Sequence, residues 1–178
     1  MEFNEVVESR RSIRDYQEKQ VKDELLEQII AAASLAPSWK NSQTARFHIV
    51  KSPEMLSRFK AECLPEFNAK NVANAPVVIV VSFVKDRAGY DRNGSPTNEL
   101  QNGWGIYDAG LASENLMLKA SELGLATLVM GIRDEKKIRL LLDIPANETI
   151  ISVISLGYGQ TKMERPVRKS FDDLCKIY

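Results

Sequence analysis

Three arginines and two serines fall within Ser9–Arg14, in the run Ser9-Arg10-Arg11-Ser12-Ile13-Arg14-Asp15-Tyr16. Guanidinium forks pair with phosphate oxygens in bidentate fashion, and a serine hydroxyl fills a remaining acceptor site, so these residue types at this spacing suit a terminal phosphate. A solvated basic turn at a helix end fits the same residues, because cations there offset the helix dipole. The short amphipathic run Phe3, Val6 and Val7 lies just before them. The rest of the chain has to decide between the two readings.

Other chemistries are poorly supplied. His48 is the single histidine and sits in the strand-like run Arg46-Phe47-His48-Ile49-Val50, which argues for a structural role and against metal clusters or Ser-His-Asp triads. Gly103-Trp104-Gly105 and Gly157-Tyr158-Gly159 do not extend to GxGxxG, so a dinucleotide-binding Rossmann domain is not expected. Lys plus Arg number 24 and Asp plus Glu number 24. A chain without basic excess lacks the footprint of a nucleic-acid binder, and the arginine cluster is a local feature. Cys63 and Cys175 lie far apart with no CxxC, as reduced thiols in a cytosolic protein would, with a single disulfide as the alternative. The acidic start lacks the layout of a signal peptide. With no apolar run of some 18 residues or more, a soluble, cytoplasmic protein is expected, without membrane partners.

At 178 residues the chain reads as one domain, 1–178, able to bury roughly 70% of its unfolded surface. A helix is predicted over Asp23–Leu35, with Leu25, Leu26, Ile29, Ile30 and Ala33 on one face and Pro37 as its stop. A strand near Arg46–Val50 follows, then a helix from Ser52-Pro53 to about Cys63, and a partly helical Pro65–Asn74. Pro76–Phe83 is β-branched and apolar on both faces, as a buried central strand should be. The polar stretch Lys85–Asn102, with Gly89, Gly94 and Pro96, reads either as a mobile cover over a site or as a disordered segment. Trp104–Leu123, apolar nearly all round and ended by Gly124, is predicted as the central buried helix. The strand Ala126–Met130, the helix Asp134–Leu142 and the strand Thr149–Leu156 complete the chain. The fold class is α+β: a three-layer sandwich with a central mixed or antiparallel sheet of about four strands flanked by helices.

Several of these segments taken in order resemble the flavin-dependent nitroreductase family. The matching marks are Arg-Arg-Ser-x-Arg, then Ala36-Pro37-Ser38-x-x-Asn41-x-Gln43, the Asp108–Gly124 helix pattern and the strand-to-glycine turn at Gly131. Ile144-Pro145 and the tail Gly157-Tyr158-Gly159 followed by Arg165-Pro166-Val167-Arg168-Lys169 complete them. The resemblance covers essentially the whole chain. No single motif is specific, but the set in register is.

That resemblance implies FMN held noncovalently at the interface of a homodimer, with its phosphate on Arg10, Ser12, Arg14 and Arg168. Two cationic clusters from opposite ends of a chain can clamp one dianion, so the physical reading agrees. Arg11 matches the motif too, either as a ligand or as a solvated neighbour, while Lys169 reads as solvated. Asn68 matches an asparagine whose amide bonds the flavin's polar edge, with a capping or turn role as the alternative. Pro37, Ser38 and Asn41 match the loop that reaches the partner's flavin; without the resemblance they are a helix stop. Met130-Gly131 matches the segment whose backbone N–H approaches the reactive flavin nitrogen, and glycine also suits any tight turn.

The function implied is ping-pong oxidoreduction: NADH or NADPH gives a hydride to FMN and leaves, and a nitroaromatic, quinone or similar acceptor then takes the electrons. The flavin carries the chemistry, so no catalytic side chain is named. Tyr90, Trp104 and Tyr107 are candidate walls for flat rings. One departure is plain: many members continue Asn-x-Gln with Pro-Trp, where this chain has Thr44-Ala45, which should reshape packing beside the cofactor. Trp39 and Trp104 either compensate or simply pack. The competing readings are a specialised flavin enzyme acting on one metabolite, by dehydrogenation or dehalogenation, and a non-catalytic flavin-binding protein.

Overall fold

The computed structural model describes residues 2–161 and 163–178. Helix α1 spans Phe3–Ser9 and α2 spans Asp23–Ser34. After a 3-10 turn at Trp39–Asn41 come β1 (Ala45–Val50), α3 (Pro53–Cys63), α4 (Glu66–Asn71) and β2 (Val77–Val84). The second half runs α5 (Gly103–Glu122), β3 (Ala126–Met130), α6 (Glu135–Leu142), β4 (Glu148–Gly157) and the short α7 (Phe171–Leu174).

The four strands form one sheet in the order β1-β2-β4-β3, with every described pairing antiparallel. Of the two sheet types predicted, the antiparallel one is realised within the chain. β2 is apolar on both faces because it lies between β1 and β4 and is covered twice. Val77, Ile79 and Val81 pack with Leu26 and Ile29 of α2 and Leu116 of α5. Val78 and Val80 pack on the other face with Leu56 and Phe59 of α3 and Ile138 of α6. Each such side chain, fully buried, contributes roughly 1.5–3 kcal/mol. Three layers result, and the sheet serves as a rigid floor for its loops.

Helix ends follow the local chemistry. Ser52 caps α3 by accepting from the Met55 N–H, Pro53 occupies its first turn, and Asp134 caps α6 by accepting from the Lys137 N–H. Gly124 follows α5 at φ +75°, a conformation that costs glycine nothing. At Gly105 a Cβ would lie 2.2 Å from the Phe83 ring, so glycine lets α5 settle directly onto β2.

Two expectations need correction. α5 is not buried all round: Gly105, Ala109, Ala112 and Leu116 face the sheet and α2, while Ile106 and Tyr107 are exposed at 50% and 59%. Small residues on its inner face allow close packing, and its large apolar residues are left outward. The stretch Lys85–Asn102 is also not a loose cover. Asn102 closes its neck by accepting from the Asp86 N–H and donating to Asp86 Oδ1, both at 2.8 Å. Inside it, Asp91 Oδ1 accepts from the Asn93 and Ser95 N–H groups, and Thr97 donates to the Gly89 carbonyl. Its polar residues bond one another, which composition alone does not reveal.

Candidate functional site

Arg10 ends α1, and the chain then runs beside β3. Ser12 bridges Thr127 in parallel, and the Ile13 N–H donates to the Thr127 carbonyl at 3.0 Å. Tyr16 anchors the segment from beneath: its buried hydroxyl lies 2.8 Å from Ser155 Oγ and donates to the Ile13 carbonyl at 3.0 Å. The C-terminal segment returns to the same place. Arg10, Arg11, Ser12 and Arg14 from one end line a cavity of about 420 Å³ together with Arg165 and Arg168 from the other.

The charge in that cavity is lopsided. Five guanidiniums face a single carboxylate, Glu164. Among the described residues only Arg10 reaches an ion pair, with half-exposed Glu114 at 3.9 Å. Arg14 donates to the Ser12 carbonyl and Arg168 to the Pro166 carbonyl, while Arg11 donates to the Glu8 and Arg10 carbonyls. Arg11 Nε is buried with no partner. Forked guanidinium donors gathered on one cavity suit phosphate oxygens. Arg165 was not singled out from the sequence, although its i, i+3 spacing to Arg168 is visible there. Lys169 is exposed and does not line the cavity.

A second part of the predicted site gathers at the far end of β3. Met130 is its buried last residue and Gly131 follows, exposed. A Cβ on Gly131 would meet nothing within 4 Å, so the chain's own packing does not demand glycine there. Asn68 is buried inside α4, neither cap nor turn, and its Nδ2 donates to the Ile132 carbonyl at 2.8 Å. Arg133 adds bonds to the Gly131 and Ile150 carbonyls, bracing the same turn. Three residue steps along the strand take Thr127 to Met130, roughly 10 Å at about 3.3 Å per residue.

Pro37, Ser38 and Asn41 are not brought to this site within one chain. Pro37 and Ser38 line a separate cavity of about 220 Å³, between α2, β1 and α5, and Asn41 lies on the same loop. Their loop is tightly constrained. The Trp39 N–H donates to Asp108 at 2.9 Å, Ser38 Oγ accepts from the Gln43 N–H, and Asn41 Oδ1 accepts from Gln43 Nε2. Lys40, Asn41 and Gln43 all have positive φ, at 45°, 55° and 47°. Left-handed non-glycine residues in such density store strain, a frequent property of ligand-facing loops. Trp39 Nε1 and Ser42 Oγ are buried without partners. Burial raises the Asp108 carboxyl above its ordinary range, partly offset by the Trp39 N–H.

The candidate walls also fall at this end. Trp39 and Trp104 pack with ring centroids 4.6 Å apart, and Tyr107 meets Trp104 edge-on at 5.8 Å. Trp104 Nε1 donates to Asn98, and Tyr90 accepts from Asn102. His48, set aside on sequence, has partners no motif announces. Its Nε2 lies 2.8 Å from Glu148 Oε2 and 3.0 Å from Ser82 Oγ, and Ser82 donates to the same carboxylate oxygen at 2.5 Å. One ring nitrogen serving both groups locks β1, β2 and β4 together and leaves no relay for a nucleophile. Among the described residues no acidic, His or Cys cluster could hold a metal, and no helix is long and apolar enough to cross a membrane.

Comparison with known proteins follows the same lines. The model of the nitroreductase family matches residues 7–73 and 62–158. A protein of Archaeoglobus fulgidus named "Putative NADH dehydrogenase/NAD(P)H nitroreductase" is 34% identical over 168 residues, covering 89% of this chain and 86% of its own. Among solved structures, a "putative nitroreductase in complex with FMN" from Exiguobacterium sibiricum superposes with a TM-score of 0.87 at 24% identity, covering 100% of this chain and 98% of that one. An "oxidoreductase containing FMN" gives 0.75 at 27% identity, over 88% of this chain and 77% of its own.

Proposed function

Because this chain belongs to the nitroreductase family, we propose that it is an FMN-dependent oxidoreductase, drawing electrons from NADH or NADPH and passing them to nitroaromatics, quinones or related acceptors. The observation that carries the reading is the meeting of Arg10, Arg11, Ser12, Arg14 and Arg168 from opposite ends of the chain on one cavity. Guanidinium forks gathered in this way suit a cofactor that carries a phosphate.

The residues present fit FMN. Guanidiniums of which, among the described residues, only Arg10 meets a carboxylate, together with the partnerless Arg11 Nε, supply donors for a phosphate dianion. Asn68 and the turn at Met130-Gly131 stand along β3 from them, and the open space at Gly131 allows a ring to approach the backbone. A bound flavin would supply hydride acceptance from NAD(P)H and two-electron donation to the acceptor, chemistry that a cofactor brings and a side chain does not. The chain's part is to bind and orient. The arginines fix the phosphate, Ile13 and Thr127 fix the arginines against β3, and Asn68 holds the post-β3 turn through the Ile132 carbonyl. Pro37, Ser38 and Asn41, which lie away from this cavity, serve the flavin of a second copy in a homodimer. The same reading takes 1–178 as one domain working in the cytoplasm, where the free thiols Cys63 and Cys175 stay reduced.

The test is the visible spectrum of the purified protein under anaerobic conditions. Bound flavin should bleach on addition of NADPH or NADH and recolour on addition of a nitroaromatic or quinone. Flavin that stays oxidised with either nicotinamide would instead mark a non-catalytic flavin binder.

A further inference from the structure

Lys40 lies in the middle of the loop Ser38–Gln43 with φ 45° and ψ 34°, in the left-handed region. A non-glycine residue stays there only where its surroundings over-determine it. The Trp39 N–H bonded to Asp108 on one side, and Ser38 Oγ bonded to the Gln43 N–H on the other, supply that constraint. The fold thus holds the backbone of an exposed lysine in one fixed conformation.

Among the described residues the Lys40 ammonium enters no ion pair, and Nζ stands 5.8 Å from the Trp39 ring centroid, within reach of a cation–π contact. Asp108, beneath the loop, is 4% exposed and receives the Trp39 N–H. Arg46 is exposed as well and donates to the Gln43 and Ala45 carbonyls, not to a carboxylate. Flat apolar surface lies next to these cations. Trp39 packs on Trp104 with centroids 4.6 Å apart, and Trp104 meets the exposed Tyr107 edge-on at 5.8 Å. An ammonium at one end of an aromatic row suits a planar ring that bears an anion: the ring stacks and the anion pairs.

We propose that Lys40 selects the electron acceptor, favouring flat aromatic compounds that carry a carboxylate or another anionic group on the ring. The inference rests on the reading under which the Pro37–Asn41 loop serves a second copy's flavin, and it adds the charge that the preferred acceptor bears. The ring lies along the Trp39–Trp104 pair and its anion meets the Lys40 ammonium, with Arg46 adding to the same field. A neutral acceptor keeps the stacking and loses the ion pair.

Trp39 and Trp104 are the two tryptophans of the chain, so quenching of tryptophan emission reports on this surface. The experiment titrates flavin-loaded protein with 4-nitrobenzoate and with its methyl ester, for wild type, Lys40→Met and Lys40→Arg. Wild type should bind the acid at least about fivefold more tightly than the ester, the ratio for one partly exposed ion pair. Added salt should narrow that ratio, Lys40→Met should bring it close to one, and Lys40→Arg should keep it. The kcat/KM values of the two compounds as acceptors should follow the same order. Equal binding of acid and ester to wild type, or an unchanged ratio in Lys40→Met, overturns the proposal. A shift in the NADPH-to-NADH preference of Lys40→Met with the acid-to-ester ratio intact also overturns it, and assigns the residue to the donor's phosphate. If NAD(P)H bleaches the flavin while acid and ester bind alike, this inference alone fails; flavin that stays oxidised removes the oxidoreductase reading as well.

Discussion

The Ile13 N–H donates to the Thr127 carbonyl at 3.0 Å, and this bond sets the distance between the arginine segment and the turn at Gly131. β3 acts as the ruler: Ser12 is bridged at Thr127, and the strand ends at Met130. On the proposed function, the phosphate and the ring of the flavin would span that spacing.

Replacing Arg10 or Arg168 by Ala should weaken FMN binding by roughly 1.5–3 kcal/mol, the range for a hydrogen bond to a charged group. Riboflavin, which lacks the phosphate, should bind as before. The measurement is flavin fluorescence titration of apoprotein; equal losses for both flavins would mean that the arginines support folding and not the phosphate.

Asn102→Ala removes both bonds that close the neck of the 85–102 loop on Asp86. The Michaelis constants for different acceptors should change relative to one another, while the FMN dissociation constant stays put. Loss of FMN in step with activity would assign the loop to the cofactor site.

His48→Phe leaves Glu148 buried with Ser82 as its remaining side-chain partner. Urea unfolding should show a loss of about 1–3 kcal/mol, the cost of stranding a buried polar group. Flavin-loaded protein should keep its turnover, since no proton passes through His48 in the proposed reaction. A stable, flavin-loaded and inactive variant would count against that reaction.

Burial pushes the Tyr16 hydroxyl up from 10.0 to about 12, against the smaller opposing effects of Ser155 and Arg14. Between these values the unfolded chain releases the proton while the folded chain keeps it. Stability from this group is therefore complete below about pH 10 and declines as pH rises toward 12. Tyr16→Phe should flatten that part of the stability–pH curve and lower stability at pH 7 by about 1 kcal/mol through the lost hydrogen bonds. Denaturant titrations at a series of pH values provide the check.

The proposed homodimer rests on the exposed Ile106 and Tyr107 of α5 and on the separation of the Pro37–Asn41 loop from the arginine cavity. Sedimentation should find a dimer at micromolar protein, with an interface above about 2,000 Å², as obligate homodimers have. A flavin-saturated monomer would refute it.

Local pattern made much of this molecule legible in advance. Pro76–Phe83 reads as a doubly covered strand because only apolar β-branched residues tolerate burial on both faces, and β2 lies there. Ser52-Pro53 and Gly124 mark helix ends because capping and positive φ are properties of a few neighbouring residues. The arginine run was visible as a possible phosphate clamp for the same reason. Its role stayed open because a solvated turn has an identical local composition.

Contacts between distant segments could not be read that way. Arg165 joins Arg10 in one cavity, and His48 meets Glu148 a hundred positions away, only because the strand order β1-β2-β4-β3 brings them together. Whether Lys85–Asn102 hangs loose or closes on itself depended on Asp86 meeting Asn102, a pairing that polarity does not encode. The sequence by itself determined the elements, the family and the charge at the ends of the chain, because these depend on residue type and short spacing. The tertiary structure alone decided which charges share a cavity, which buried polar atoms find partners and where Pro37, Ser38 and Asn41 lie relative to the arginines, because burial and long-range register arise only once the sheet is assembled.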